Sequence, residues 1–189
     1  VAAPSAEVPW RPLGVLIAAT VMVALDSTIV NVALHQIGKD LAAGDGIEWI
    51  VTSYLLAVCA VQPATGWLSD RFGRKRVFLA ALVSFTVASG LCALAPTLPL
   101  LIAARVLQGL GGGAVMPIGM AIGMELVAPE GRGRVISIWG MSSMAAPAIG
   151  PTVGGWLVTS VGWHWLFLIN LPIGLVTAIA GTSRLPDIG

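Results

Sequence analysis

Two ionisable side chains lie in unusual surroundings. Asp26 is embedded in the apolar run VMVALDSTIVNVAL and Arg105 in LPLLIAARVLQGLGGG. An acid and a base so placed can neutralise each other, bind and release a proton, or hold a charged ligand. A charge inside a bilayer is costly, so each must face protein or water and have a partner. A structural ion pair that only fixes packing is the plain alternative. Proton or ligand handling is favoured over it, because ionisable groups within membrane spans commonly mark ion pathways. Gln108, Gly109 and Gly112 follow Arg105 at the spacing of one helix face. Such a face suits a cavity lining, and equally suits close helix packing through small residues. No nucleophile–base pair, phosphate loop or metal-ligand spacing accompanies these residues. The glycines from Gly109 to Gly113 lie in an apolar span, and Cys59 and Cys92 read as small core residues. The sequence is not that of an enzyme, and it calls for no metal, no cofactor and no nucleic-acid partner.

The elements that must position these residues are membrane helices. Of 189 residues, 57% are hydrophobic and 10% charged, whereas a soluble domain carries about 25% charged residues. So little polar surface excludes a water-facing shell, and so much hydrophobicity excludes disorder. A bilayer core about 30 Å thick takes roughly 20 apolar residues per helix. Six segments qualify, at 13–34, 49–68, 77–95, 98–127, 135–159 and 165–181. The expected organisation is an N-terminal tail over 1–12, a six-helix bundle over 13–181 and the start of a linker over 182–189. A cleaved signal peptide is not expected, because the first apolar run is long enough to span.

Lysine and arginine set the orientation. Arg11, Arg71, Arg74, Lys75, Arg76, Arg132, Arg134 and Arg184 all fall on one side, which is assigned to the cytoplasm. Lys39 alone falls on the other, so both ends of the segment are expected to be cytoplasmic. At 1.5 Å per residue, Asp26 and Arg105 both lie about 20 Å above the cytoplasmic edge. The sequence thus predicts a direct or water-bridged Asp26–Arg105 pair. Glu125 falls at the cytoplasmic end of the fourth span and reads as an interfacial anchor. Trp10, Trp49, Trp67, Trp139, Trp163 and Trp165 lie at or near span ends, with Trp156 nearer the outer end of the fifth, as an aromatic belt requires.

The chain repeats itself. GWLSDRFGRKRVFL from Gly66 and GWLVTSVGWHWLFL from Gly155 share Gly, Trp, Leu, Gly, Phe and Leu at a constant offset of 89 residues. Each copy is the corner between the second and third helix of a three-helix unit. An odd number of spans inverts the second unit, which gives an all-α membrane fold of two inverted three-helix repeats, a plan found in many secondary transporters. The fifth span holds two prolines and three glycines in the ten residues from Ala146 to Gly155. Those residues predict a kink and close approach of a neighbour, serving either as a hinge or as a static bend.

Several motifs resemble one family. Gly66-Trp-Leu-Ser-Asp70-Arg71-Phe-Gly73-Arg74-Lys75-Arg76 looks like the loop signature between the second and third helices of the major facilitator superfamily. Arg105-Val-Leu-Gln108-Gly109 resembles its fourth-helix motif, and Gly150-Pro151-Thr-Val-Gly154-Gly155 the fifth-helix motif of antiporters. Leu25-Asp26-Ser-Thr28-Ile-Val-Asn31 and Phe167-Leu-Ile-Asn170-Leu-Pro172-Ile-Gly174 resemble the fourteen-span drug:proton antiporter branch. The resemblance covers about 13–181 and implies the N-terminal half of a proton-coupled exporter in a bacterial cytoplasmic membrane. Asp26, with Arg105 and Gln108, would then take part in proton coupling or substrate binding, Arg105 tuning the protonation of the acid. Gly66, Asp70, Arg71, Gly73, Arg74 and Lys75 would form a conformational latch, and Gly150, Pro151, Gly154 and Gly155 the antiporter hinge. The implied partners are protons, the lipid bilayer, a small lipophilic substrate (a lone buried acid leans toward cations) and the C-terminal half of the same transporter. The proton gradient would supply the driving force.

The sequence departs from the pattern at His35, His164 and Ala146, where Pro, Arg and Gly are usual. Both histidines read as exposed loop-end residues. Other readings are a membrane half-domain that binds a partner without transporting, and a half-size homodimeric transporter.

Overall fold

Apolar chain in lipid can satisfy its backbone only within each segment, that is, as helices or a closed barrel. The computed structural model describes residues 9–187, and every regular element among the described residues is helical. The expectations for 1–8 and 188–189 lie outside the described residues. Eight α-helices make the six expected spans. The first is α1 (Trp10–Asp40); α2 (Trp49–Val61) and α3 (Ala64–Phe72) make the second; α4 (Arg74–Ala93) is the third. The fourth is α5 (Leu98–Glu125), the fifth α6 (Arg132–Ser160), and α7 (His164–Leu168) with α8 (Asn170–Arg184) the sixth. Five spans are long and apolar enough to cross a membrane. In α6, also long enough, glycine, proline and serine dilute the hydropathy.

Proline explains the two breaks that the spans at 49–68 and 165–181 did not anticipate. Pro63 has no N–H to offer the carbonyl of Cys59, so α2 ends at Val61, and Thr65 Oγ1 donates to Gln62 O at 2.7 Å as the chain resumes. Pro172 likewise leaves the carbonyl of Leu168 without a helical donor, and the helix is interrupted at Ile169. By contrast α6 runs as one helix through Pro147 and Pro151, so the expected kink does not interrupt it.

The repeat is visible in the backbone. Gly73 and Gly162, equivalent at the offset of 89, adopt φ +86° and +95°, a region that side chains rarely enter. Their neighbours match too. Trp67 and Trp156 are 61% and 65% exposed, and Phe78 and Phe167 are fully buried. The first helix of each repeat packs on the second helix of the other, α1 on α6 and α5 on α2. Glycine allows both approaches. A Cβ at Gly109 would lie 2.5 Å from Tyr54 O, and one at Gly113 2.8 Å from Val58 Cα. A Cβ at Gly154 would lie 2.7 Å from Ile29 Cγ1, and one at Gly150 would collide with Thr28 Oγ1. α5 also meets α4, where a Cβ at Gly111 would come 2.7 Å from Ala81 O.

The apolar core divides in two. One cluster joins Leu13, Phe78, Phe85, Val115, Ile122 and Trp139; the other joins Ile37, Ile50, Leu101, Trp163 and Leu166. The basic residues meet at the end of the first cluster. There Arg74 pairs with Glu125, Lys75 lies 3.2 Å from Asp187, and Arg134 stands over the Trp10 ring at 5.3 Å. Glu125, expected to be an interfacial anchor, therefore ties the end of α5 to the start of α4.

Some expected surfaces are core and the reverse. Trp139 and Trp163 are buried, so they fill the bundle ends and do not join the belt formed by the five exposed tryptophans. Trp163 Nε1 donates to Asp40 Oδ2 at 2.9 Å, which anchors its polar edge. Cys92 is buried as expected, but Cys59 is exposed, because α2 buries only the face carrying Ile50, Ser53, Tyr54 and Ala57. His35 and His164 are exposed, and His164 stacks on Trp163.

Candidate functional site: a buried polar junction

Each of α1, α4 and α5 carries one or two polar residues between its contributions to the two apolar clusters, and α8 begins with one. Asp26, Ser89, Arg105, Gln108 and Asn170 thereby converge in a single layer across the bundle, all of them buried. Arg105 Nη1 donates to Asp26 Oδ2 at 2.7 Å and to Gln108 Oε1 at 2.7 Å. Gln108 Nε2 donates to Asp26 Oδ1 at 2.9 Å, and Asn170 Nδ2 donates to the same oxygen at 2.8 Å. Ser89 Oγ accepts from Gln108 at 3.1 Å and from Asn170 at 2.9 Å, and donates to the Phe167 carbonyl at 3.0 Å. The sequence-predicted pair is thus direct.

The guanidinium is held through Nε and Nη1 and by aromatic rings. Arg105 Nε donates to Ile50 O at 3.2 Å, an acceptor on α2. The Tyr54 ring centre lies 4.0 Å from the guanidinium carbon, close enough for a cation–π contact. The Phe167 ring stands 5.9 Å away. Arg105 Nη2 and Ser53 Oγ make no hydrogen bond among the described residues. One carboxylate meets one guanidinium in a site closed to solvent, which is how a membrane interior tolerates ionised groups.

The arrangement is directional. Every contact to Asp26 is a donor, so the pocket complements a carboxylate. Four helices, α1, α4, α5 and α8, are tied together through these contacts.

Asp26, Arg105 and Gln108 are brought together as expected. Gly109 and Gly112 serve packing instead of lining a cavity: Gly112 abuts Phe85, Tyr54 and Val23. Ser89, Asn170 and Tyr54 were not anticipated as part of this site. An isolated polar residue in an apolar span was the available signal for Asn170; nothing at helical spacing pointed to Ser89 or Tyr54. The loop residues form a separate group at the basic end. Arg71 lies beside the Trp67 ring at 5.7 Å and the Phe72 ring at 5.6 Å, Arg74 and Lys75 are paired as above, and Asp70 is exposed. Gly66 is exposed with open space around it. Gly150, Gly154 and Gly155 face α1, and Pro151 lies on the exposed side of α6.

A six-span bundle of two inverted units around a buried ion pair has the architecture of a membrane transporter half. The Major Facilitator Superfamily model matches residues 16–187. The chain belongs to the major facilitator superfamily, a superfamily of transporters and not of enzymes. It is 40% identical over 177 residues to a multidrug resistance protein B homolog of Mycobacterium tuberculosis (strain CDC 1551 / Oshkosh), covering 93% of this chain and 33% of that protein. It is 40% identical over 183 residues to a putative multidrug resistance protein MdtD of Klebsiella pneumoniae (strain 342), covering 96% of this chain and 39% of that one. A crystal structure of a D-xylose-proton symporter superposes with a TM-score of 0.83 at 17% identity, over 96% of this chain and 49% of that chain. The chain therefore spans about a third of the length of the curated relatives it matches.

Proposed function

We propose that this chain is the N-terminal half of a proton-coupled secondary transporter that exports drugs or other small lipophilic molecules by alternating access. The observation that carries the reading is the buried junction, in which Asp26 accepts three hydrogen bonds from Arg105, Gln108 and Asn170. Asp26 is the proton-binding group, Arg105 its counter-charge, and Gln108 and Asn170 the donors that a proton displaces. Displacing them loosens α1, α5 and α8 together, which couples proton binding to helix movement. The relatives named as multidrug resistance proteins support drug efflux. The buried acid favours substrates that are lipophilic and cationic. The C-terminal half of the same transporter completes the substrate cavity.

In this reading the basic end faces the cytoplasm of a bacterium, with both ends of the segment on that side of the inner membrane. Asp70, Arg71, Arg74, Lys75 and the turn at Gly73, preceded by Gly66, latch one conformation there. Gly150, Pro151, Gly154 and Gly155 let α6 slide or tilt on α1 as the bundle rocks.

The test uses the full-length protein containing this chain, reconstituted in vesicles with an imposed pH gradient and a fluorescent lipophilic cation. Asp26→Asn is expected to abolish gradient-driven transport while gradient-independent substrate binding survives. Transport by that variant at the wild-type rate would remove Asp26 from the coupling step.

A further inference from the structure

We propose that Ser53 is a positioning residue of the buried junction, offering Arg105 a second seat on α2 when Asp26 becomes neutral. Among the described residues, two buried side-chain polar atoms make no hydrogen bond, Ser53 Oγ and Arg105 Nη2. They are complementary, an acceptor and a donor. A buried polar group left unpaired costs stability, so two such groups on facing helices are set for a bond that another state completes. Ile50, Ser53 and Tyr54 share the buried face of α2. Ile50 O accepts from Arg105 Nε at 3.2 Å, and the Tyr54 ring centre stands 4.0 Å from the guanidinium carbon. Ser53 therefore lies on the face that Arg105 touches. In the planar guanidinium Nη2 shares an edge with Nε–H, so one Nη2 hydrogen is directed to the same side, toward α2.

The local helix geometry explains why this hydroxyl is free. A serine or threonine hydroxyl in a helix reaches back to a carbonyl about one turn earlier. Thr20, Thr86 and Thr177 donate in this way to Leu16, Leu82 and Ile173. Ile50 O is such a carbonyl for Ser53, but Arg105 Nε engages it, and Ser53 Oγ is left unpaired near the guanidinium edge. The α2 backbone is fixed at this level, because Gly109 lets α5 approach the Tyr54 carbonyl. Charge gives the movement its direction. The anionic partner of Arg105 is Asp26 on α1. A proton there removes the ion pair and leaves Gln108 Oε1, which also accepts from Cys92, and Ile50 O. The Tyr54 ring attracts the cation on the α2 side. Turning toward Ser53 then gives Nη2 an acceptor and frees α1 from α5. The inference rests on the proton role of Asp26 proposed above.

The test uses the full-length protein containing this chain. Ser53→Ala and Ser53→Thr are made alone and together with Asp26→Asn, which fixes the acid in a neutral form. Ser53→Ala alone is expected to leave the melting temperature in detergent unchanged, since its hydroxyl makes no bond while Asp26 is charged. Combined with Asp26→Asn it is expected to lower the melting temperature, whereas Ser53→Thr, which keeps the hydroxyl, is not. In vesicles with a pH gradient, Ser53→Ala is expected to lower the maximal export rate about tenfold, the worth of one hydrogen bond to a charged group. The half-saturating substrate concentration is expected to stay the same, and Ser53→Thr to restore the rate. A water bridging the two atoms would make Ser53→Ala equally costly with and without Asp26→Asn. That result, or wild-type export by Ser53→Ala, would overturn the proposal, and the export arm decides even where Asp26→Asn fails to fold. Wild-type export by Asp26→Asn is the distinct result that removes the acid from coupling and takes this proposal with it.

Discussion

At the scale of single residues, the junction is a balanced set of charges and donors. Replacing one member of a buried ion pair leaves the other uncompensated, at a cost of about 3–5 kcal/mol. Asp26→Ala is therefore expected to destabilise the protein by about that amount in denaturant or thermal unfolding in detergent. Asp26→Asn with Arg105→Gln removes both charges and keeps hydrogen-bonding shape, so it is expected to recover much of the loss. A double variant as unstable as Asp26→Ala would mean that the pair does not balance charge. Asn170→Ala leaves Asp26 and Ser89 each one donor short, and a cost of about 1–3 kcal/mol is expected by the same measurement.

At the scale of elements, glycine acts through two separate physical effects. Gly73 and Gly162 turn the chain at positive φ with open space at Gly162, so there the backbone conformation alone opposes a side chain. Gly73→Ala and Gly162→Ala are each expected to cost about 1–3 kcal/mol in unfolding. Gly111 is helical and limited by contact, its Cβ position lying 2.7 Å from both Ala81 O and Phe85 N, backbone atoms that cannot step aside. Gly111→Ala is expected to separate α5 from α4 and reduce both stability and folded yield. Gly140 on α6 has neither constraint, with nothing within 4 Å of its Cβ position. Gly140→Ala is expected to stabilise by about 0.5–1 kcal/mol, through lower unfolded-state entropy. Equal effects at all four positions would mean that neither backbone nor contact distinguishes them.

At the scale of the whole molecule, the charges sort to one end. Arg11, the α3–α4 corner, the α5–α6 corner and Arg184 meet there, with Arg74–Glu125 and Lys75–Asp187 crossing between elements. The α1–α2 connection, with Lys39 and Asp40, lies at the other end. In the proposed orientation the first end faces the cytoplasm, which the positive-inside bias favours. In a full-length background in which Cys59 and Cys92 are replaced, a cysteine at Gly44 is expected to react with a membrane-impermeant maleimide on intact cells. One at Glu130 is expected to react only after permeabilisation. The reverse pattern would invert the bundle. One face of α2, carrying Leu55, Leu56 and Cys59, stays exposed, as suits a surface against lipid or a second bundle.

The spans, the six-residue repeat, the sorting of the basic residues and the depth match of Asp26 with Arg105 were all determined by the sequence alone. They depend on hydropathy, on charge and on a fixed rise per residue, which are properties of a linear chain. Tertiary structure decided which of the conspicuous residues meet. Ser89 and Asn170 join Asp26 because α4 and α8 cross at its level, a matter of rotation and crossing angle that no spacing within one helix encodes. Trp139 and Trp163 looked like belt residues by their distance from a span end, but burial depends on which way a helix face turns. The breaks at Pro63 and Ile169 differ from the unbroken passage through Pro147 and Pro151 because a missing N–H has consequences that depend on how neighbouring helices pack.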